Sequence, residues 1–187
     1  MKCVIVFFVL LATANSLPRY VVPCSESLAV RSLRFAVAEV GTVEATGNND
    51  GVRVEFYLRH VGLGKGNAYC AAFVVTALDE TRVCERLPIK RTAMAYGIFL
   101  DARSRGVLSG KPQVGDIIVW KYSNRPNGHV GRIDSIGRAG NIVTVEANTS
   151  PTSAGSQRDG GGVYLKHRNT KHPLGRMMLA GLIGLGK

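Results

Sequence analysis

The chain has few acidic residues, few aromatic residues and, beyond its first residues, no long apolar run. Asp and Glu number 13 against 24 Lys and Arg, which gives a formal net charge of +11. An excess of this size attracts anionic partners over long range. No later segment approaches the roughly 18 to 20 apolar residues that a membrane span requires. A length of 187 residues with 45% hydrophobic content therefore predicts one folded domain without a membrane span.

The one pronounced apolar run lies at the N-terminus. Lys2 precedes apolar residues from Val4 to Leu11, and Ala12-Thr13-Ala14 follows. A positive residue, a short apolar run and an A-x-A pattern are typical of a secretory signal peptide, although a short anchor or a buried strand is an alternative. We predict that residues 1–14 are cleaved and that residues 15–187 form a single domain with its core at about residues 25–170. The expected location is secreted or periplasmic.

Cysteine is scarce as well, with four residues in the chain. Cys3 lies in the predicted signal peptide, which leaves Cys24, Cys70 and Cys84. An odd number means that at least one is free or pairs with another chain, and a Cys24–Cys84 disulfide is left open. The chain has no C-x-x-C motif or His/Cys spacing of a zinc site. No metal and no cofactor are therefore expected.

The hydrophobic pattern changes character along the chain. The first half has apolar residues at the three- and four-residue spacing of helices, predicted over residues 25–40, 52–61, 68–81 and 92–104. The second half has short alternating segments separated by Gly-rich turns, the pattern of antiparallel strands, predicted over residues 114–122, 129–136, 142–148 and 163–167. Helices followed by strands indicate an α+β fold. The apolar, Gly-rich tail from Leu174 is expected to be a packed terminal segment.

One short stretch, GNAYCAAFVV from Gly66 to Val75, points to chemistry. Cys70 stands where a Gly-containing loop gives way to a small-residue apolar helix. Unpaired N–H groups and the helix dipole at a helix start favour a thiolate, the reactive form of cysteine. A single cysteine in an apolar helix is nevertheless more often an inert core thiol. The prediction of a nucleophile therefore depends on a base elsewhere in the chain.

The candidate base is His129, which opens a predicted strand directly after a Pro/Gly loop. The following strand carries Glu146 and Asn148, two residues apart and so predicted to share one face. Either side chain is placed to hold the Nδ1–H of the imidazole and fix its tautomer. Which of the two does so is left open. A solvated Glu and a turn-forming Asn are the alternative interpretation.

Three blocks in a fixed order, YCAAF, then GDIIVW followed by GHVG, then VEANT, resemble the CHAP family. These are cysteine, histidine-dependent amidohydrolases and peptidases related to the NlpC-type cell-wall peptidases, and the resemblance spans about residues 30–170. It implies a papain-like α+β domain with N-terminal helices packed on an antiparallel sheet. It also implies that Cys70 is the nucleophile and His129 the general base. Glu146 would then orient the histidine, with Asn148 as a further polar member of the site.

The resemblance further implies a secreted cysteine amidase or endopeptidase that cuts an amide bond in bacterial peptidoglycan. Candidate substrate-binding residues are Asn67, Tyr69 and Trp120. The expected partner is peptidoglycan, an anionic cell-wall polymer, rather than nucleic acid, and the chain is expected to be a monomer. Two alternatives are kept: an amidase or peptidase that acts on a substrate outside the wall, and a catalytically inactive wall-binding module.

Overall fold

The computed structural model describes residues 26–83, 86–152 and 160–185. The predicted signal peptide, Cys24 and Cys84 all lie outside the described residues. Within these ranges the order is four α-helices followed by six strands, with the bounds α1 Leu28–Ala38, α2 Val52–Arg59, α3 Cys70–Thr81, α4 Ala95–Ser104, β1 Leu108–Ser109, β2 Ile117–Tyr122, β3 Gly128–Ile136, β4 Asn141–Thr149, β5 Gly162–Asn169 and β6 Met177–Ile183. No described helix is long and apolar enough to cross a membrane.

The predicted α+β class is confirmed. The six strands form one sheet in the order β1-β6-β2-β3-β4-β5, and every pairing is antiparallel. Strands β2 to β5 form the predicted meander, because short turns join β2 to β3 and β3 to β4. The helices cover one face of this sheet, with α3 against β3 and β4, and α4 against β2, β3 and β6.

Helix α3 is the centre of the core. Ten of its twelve residues are buried, as expected for a helix that is apolar nearly all round. Ala71, Ala72 and Ala77 are fully buried, and their small side chains let the helix approach the sheet closely. Helix α1 begins at a cap formed by Ser27, whose hydroxyl accepts from the Val30 N–H at 3.4 Å. The predicted helix start at residue 25 was thus too early.

The C-terminal tail, expected to be a packed terminal segment, forms the strand β6, which inserts between β1 and β2. Gly181 makes this position possible, because a Cβ there would lie 2.6 Å from a ring carbon of Phe99 on α4. This segment has no alternation of apolar and polar residues, so the period-2 signal of a strand was missing.

The opposite face of the sheet carries a second, smaller apolar cluster. It includes Ile118, Trp120, Ile133 and Ile142, whereas Val119, Val130 and Val145 belong to the helix-side core. This division follows from the two-residue alternation of strands. It also decides which polar side chains can meet, because His129 pairs with Trp120 across β2 and β3 and so shares its face.

Candidate active site

Cys70 is the first residue of α3, and its side chain is almost completely buried at 5% exposure. The helix starts without a side-chain cap from Tyr69. Instead, the backbone N–H of Tyr69 donates to Oδ1 of Asn148 at 2.7 Å. This hydrogen bond joins the start of α3 to the end of β4. Cys70 thus lies at a helix N-terminus, where N–H groups without intrahelical acceptors favour an anion.

His129 is the second residue of β3 and is completely buried. Its imidazole is stacked on Trp120 with ring centroids 6.1 Å apart and an interplanar angle of 25°. The preceding Gly128 passes so close to β2 that a Cβ would lie 2.1 Å from the Trp120 carbonyl oxygen. Only glycine fits there, which explains why the strand begins with a Gly-His pair. The Cys70 side chain lies near enough to the imidazole to raise its pKa.

Glu146 holds the imidazole from the neighbouring strand. It pairs with Gly131 across β3 and β4, so that it is the diagonal neighbour of His129 on the same face. Its Oε2 lies 2.8 Å from Nε2 of His129. The prediction named Nδ1 as the nitrogen to be held, and this was wrong: the carboxylate reaches across the space above Gly131 to the outer ring nitrogen. Nδ1 is buried and has no hydrogen-bond partner among the described residues, so it remains available to act as the base.

Asn148 has a different position from the one predicted. The alternation of β4 is interrupted by a register shift between Ala147 and Thr149, and Asn148 has a left-handed φ of 59°. Its side chain points to the start of α3, where Oδ1 accepts a hydrogen bond from the backbone N–H of Tyr69. It therefore does not point in the same direction as the side chain of Glu146. Glu146 is therefore the residue hydrogen-bonded to Nε2, and Asn148 is the residue that anchors the N-terminus of α3.

The sequence reasoning missed Arg168 and Thr144. Arg168 donates from Nε to Oε1 of Glu146 at 2.8 Å and from Nη2 to Oε2 at 2.6 Å. The Thr144 hydroxyl donates to Oε1 at 2.5 Å. Together with His129, these bonds occupy the four acceptor positions of a carboxylate. A basic residue one position beyond the predicted end of β5 was the available signal, but its meaning depended on a strand register that the sequence did not reveal.

The electrostatics follow from burial and from these bonds. Burial opposes the charged form of His129, but the side chains of Cys70 and Glu146 favour it more strongly and raise its pKa to about 9. Burial likewise opposes the charged form of Glu146, yet hydrogen bonds from Arg168 and His129 lower its pKa to about 2. A carboxylate that stays ionised can only accept, so Nε2 carries a proton. The neutral imidazole then has its lone pair on Nδ1, on the side of Cys70.

The three candidate substrate-binding residues differ in accessibility. Asn67 is exposed and donates from Nδ2 to the Gly64 carbonyl at 3.0 Å. Tyr69 is fully buried, with its hydroxyl donating to Glu44 at 3.1 Å. Trp120 is 1% exposed and covers His129. The side chains of Tyr69 and Trp120 therefore support the site from within, because neither reaches solvent where a substrate would bind.

Two cavities flank the site. One of about 460 Å³ is lined by polar and glycine residues next to the loop before Cys70, namely Glu44, Gly47, Asn48, Asn49, Gly66, Gly160 and Gly161. The other, of about 330 Å³, opens on the far face of the sheet over Trp120 and Arg168. Among the described residues, no group of three His, Cys, Asp or Glu side chains could hold a metal ion.

Comparison with known proteins agrees with the motif-based interpretation. The family model described as the CHAP domain matches residues 62–148. This segment runs from the loop before Cys70 to Asn148. No curated protein sequence matches the chain. One solved structure, titled "The crystal structure of Ly7917", is 15% identical with a TM-score of 0.47, and the match covers 84% of this chain and 62% of that one. This chain thus spans less than two thirds of that protein. The residues that this family model matches include Cys70, His129 and Glu146.

Proposed function

We propose that this protein is a secreted cysteine amidase or endopeptidase that hydrolyses an amide bond in bacterial peptidoglycan. The observation that carries the proposal is a buried imidazole whose Nε2 is hydrogen-bonded to Glu146 and whose pKa is raised by the nearby Cys70, the first residue of a helix. A thiol, a base and a group that orients the base are the components of cysteine nucleophilic catalysis. CHAP domains are generally hydrolases of this class.

The first half of the reaction forms an acyl-enzyme. The Cys70 thiolate attacks the amide carbonyl carbon, and the backbone N–H of Cys70 stabilises the oxyanion, a kind of contribution worth roughly 3 kcal/mol per donor in other enzymes. The C–N bond breaks as the imidazolium of His129 gives its Nδ1 proton to the leaving amine. The acyl group remains bound to the Cys70 sulfur as a thioester. The Nε2–H of His129 stays hydrogen-bonded to the Glu146 carboxylate.

The second half regenerates the enzyme. Water gives a proton to Nδ1 of His129 and attacks the thioester carbonyl, and the C–S bond breaks to release the carboxylic acid. Glu146 keeps the imidazole in one orientation through both steps, so that the same nitrogen acts first as acid and then as base. Asn148 contributes by holding the start of α3, through Tyr69, in line with the histidine.

Two features favour a wall polymer as the substrate. The net charge of +11 attracts an anionic polymer, and the sequence at residues 1–14 has the pattern of an export signal. We accordingly propose that residues 15–187 act outside the cell membrane as one domain. The polar cavity beside Glu44 and Gly66 adjoins the loop that leads into Cys70. It is our candidate for the substrate cleft.

The test is digestion of purified peptidoglycan, followed by mass spectrometry of the released fragments. The proposal predicts new amine and carboxyl ends at one type of amide bond, either between sugar and peptide or within the peptide. Release of fragments cut only at glycosidic bonds would contradict it. Intact peptidoglycan, together with cleavage of soluble peptides or amides in the same preparation, would favour the alternative of a substrate outside the wall.

A further inference from the structure

Arg168, near the end of β5, is the basic residue that pairs with Glu146 in the active site. It forms a bidentate pair with Glu146, with N–O distances of 2.8 and 2.6 Å. Its own side chain is 9% exposed, and that of Glu146 is completely buried. A fork of two parallel bonds between a guanidinium and a carboxylate is both strong and geometrically specific. Glu146 therefore has one strongly preferred position.

A buried carboxylate needs such a partner to stay charged. Removing an ionised carboxylate from water is costly unless it is paired and hydrogen-bonded. Arg168 supplies the largest of the interactions that oppose protonation of Glu146, ahead of His129. If the imidazole were the only charged partner, the carboxyl group would take up a proton more readily. A protonated Glu146 would no longer stabilise the imidazolium that the thiolate requires.

We propose that Arg168 is a positioning residue of the active site, which keeps the Glu146 carboxylate ionised and fixed on Nε2 of His129. This inference deepens the proposed function and rests on it for its catalytic meaning. Arg168 acts through Glu146 and His129 and has no role as acid, base or nucleophile. Arg168 also lines the 330 Å³ cavity.

The charged surroundings of this pair come from three elements. Helix α3 contributes Cys70, β3 contributes His129, and β5 contributes both Arg168 and Lys166. The ammonium group of Lys166 donates to the backbone carbonyl of Ser150 at 2.7 Å, on the loop after β4, and not to Glu146. Arg168 is therefore the cation whose removal should change the protonation of Glu146 most.

The experiment measures the rate of Cys70 alkylation by iodoacetamide as a function of pH, by mass spectrometry of the Cys70 peptide. This rate follows the thiolate and requires no substrate. In Arg168→Gln we expect the acid limb of the profile to move to higher pH, because a Glu146 carboxyl group that protonates more readily stabilises the imidazolium less. Hydrolysis should fall by about 10- to 100-fold, as when supporting residues of other sites are removed.

Arg53→Gln is the matched control. Arg53 clamps the buried Glu39 through the same two nitrogens at 3.0 and 2.6 Å, away from His129. Arg53→Gln should lower the melting temperature about as much as Arg168→Gln does, but the acid limb of its alkylation profile should stay at the wild-type position. Arg168→Lys keeps the charge and loses the fork, so its limb should lie between those of the wild type and Arg168→Gln.

An acid limb unchanged from the wild type in folded Arg168→Gln would overturn the inference. If that variant does not fold, Arg168→Lys carries the test: a shift in the same direction supports the inference, and an unchanged limb refutes it. The inference and the proposed function fail separately. A shifted alkylation limb in a protein that leaves peptidoglycan uncut would retain the role of Arg168 and reject the substrate.

Discussion

Substitution of Gly131 by Ala should disable the site without touching any reactive group. Gly131 lies opposite Glu146, and a Cβ at this position would lie 2.7 Å from Cγ of Glu146 and 3.2 Å from the backbone oxygen of Val145. Carbon atoms in contact are normally about 3.5 to 4.0 Å apart. The Glu146 side chain would therefore have to move by about 1 Å.

This movement cannot be absorbed freely, because Glu146 is tied to Arg168, Thr144 and His129. A displacement of about 1 Å in catalytic geometry can cost on the order of 100-fold in rate. Overpacking of a buried position costs about 1–3 kcal/mol in stability. We therefore expect Gly131→Ala to fold, to melt at a lower temperature and to lose roughly 100-fold in the rate of peptidoglycan hydrolysis.

The assay compares initial hydrolysis rates at a temperature well below the melting point of each variant. Gly110→Ala is the matched control, because a Cβ at Gly110 meets nothing within 4 Å; it should keep wild-type activity. A Gly131→Ala protein that unfolds cooperatively and hydrolyses peptidoglycan at the wild-type rate would show that hydrolysis does not require the observed position of Glu146.

Two further predictions concern stability. Asn148→Ala removes the acceptor of the buried Tyr69 N–H, which should cost about 1–3 kcal/mol in chemical unfolding and lower activity; an unchanged unfolding midpoint would argue against the anchor. The second concerns pH. The raised pKa of His129 stabilises the fold fully below about pH 6.5, and this stabilisation is lost as the pH rises through about 9. The lowered pKa of Glu146 stabilises the fold above about pH 4.5, and that stabilisation is lost as the pH falls towards 2. The unfolding free energy of the wild type should therefore fall between pH 6.5 and 9 more than that of His129→Gln, and parallel curves would contradict the assignment.

Local sequence patterns predicted much of the framework. The apolar run after Cys70 predicted α3 to within two residues, because a helix buried on all sides needs little more than continuous small and apolar residues. The alternation after His129 and after Asn141 predicted β3 and β4 for an equally local reason. Proximity of the histidine strand to the glutamate strand followed from the short turn between them.

Features that depend on non-local register were not predictable in this way. The prediction ended β5 at His167, one residue before Arg168, because the basic and polar residues there have no apolar signal. Even with the right end, the pairing of β5 with β4 decides that Arg168 meets Glu146. A shift of one residue would place it on the other face of the sheet.

The position of Asn148 illustrates a second limit. Strict alternation placed its side chain with that of Glu146, but the register shift after Ala147 and the left-handed backbone of Asn148 redirected it towards Tyr69. Bulges of this kind re-aim side chains near functional sites. Asn is among the few residues that tolerate a left-handed conformation. This explains why Asn occupies position 148, but the residue type alone did not predict the left-handed backbone there.

The central claim is that Cys70 is the nucleophile, and the most direct test is the rate of peptidoglycan hydrolysis by Cys70→Ala beside that of the wild type. The two proteins should have closely similar melting temperatures, because the change is small. We expect a loss of roughly 10⁴-fold or more, as for removal of the nucleophile in other hydrolases. A folded Cys70→Ala protein that releases the same fragments at the wild-type rate would contradict it.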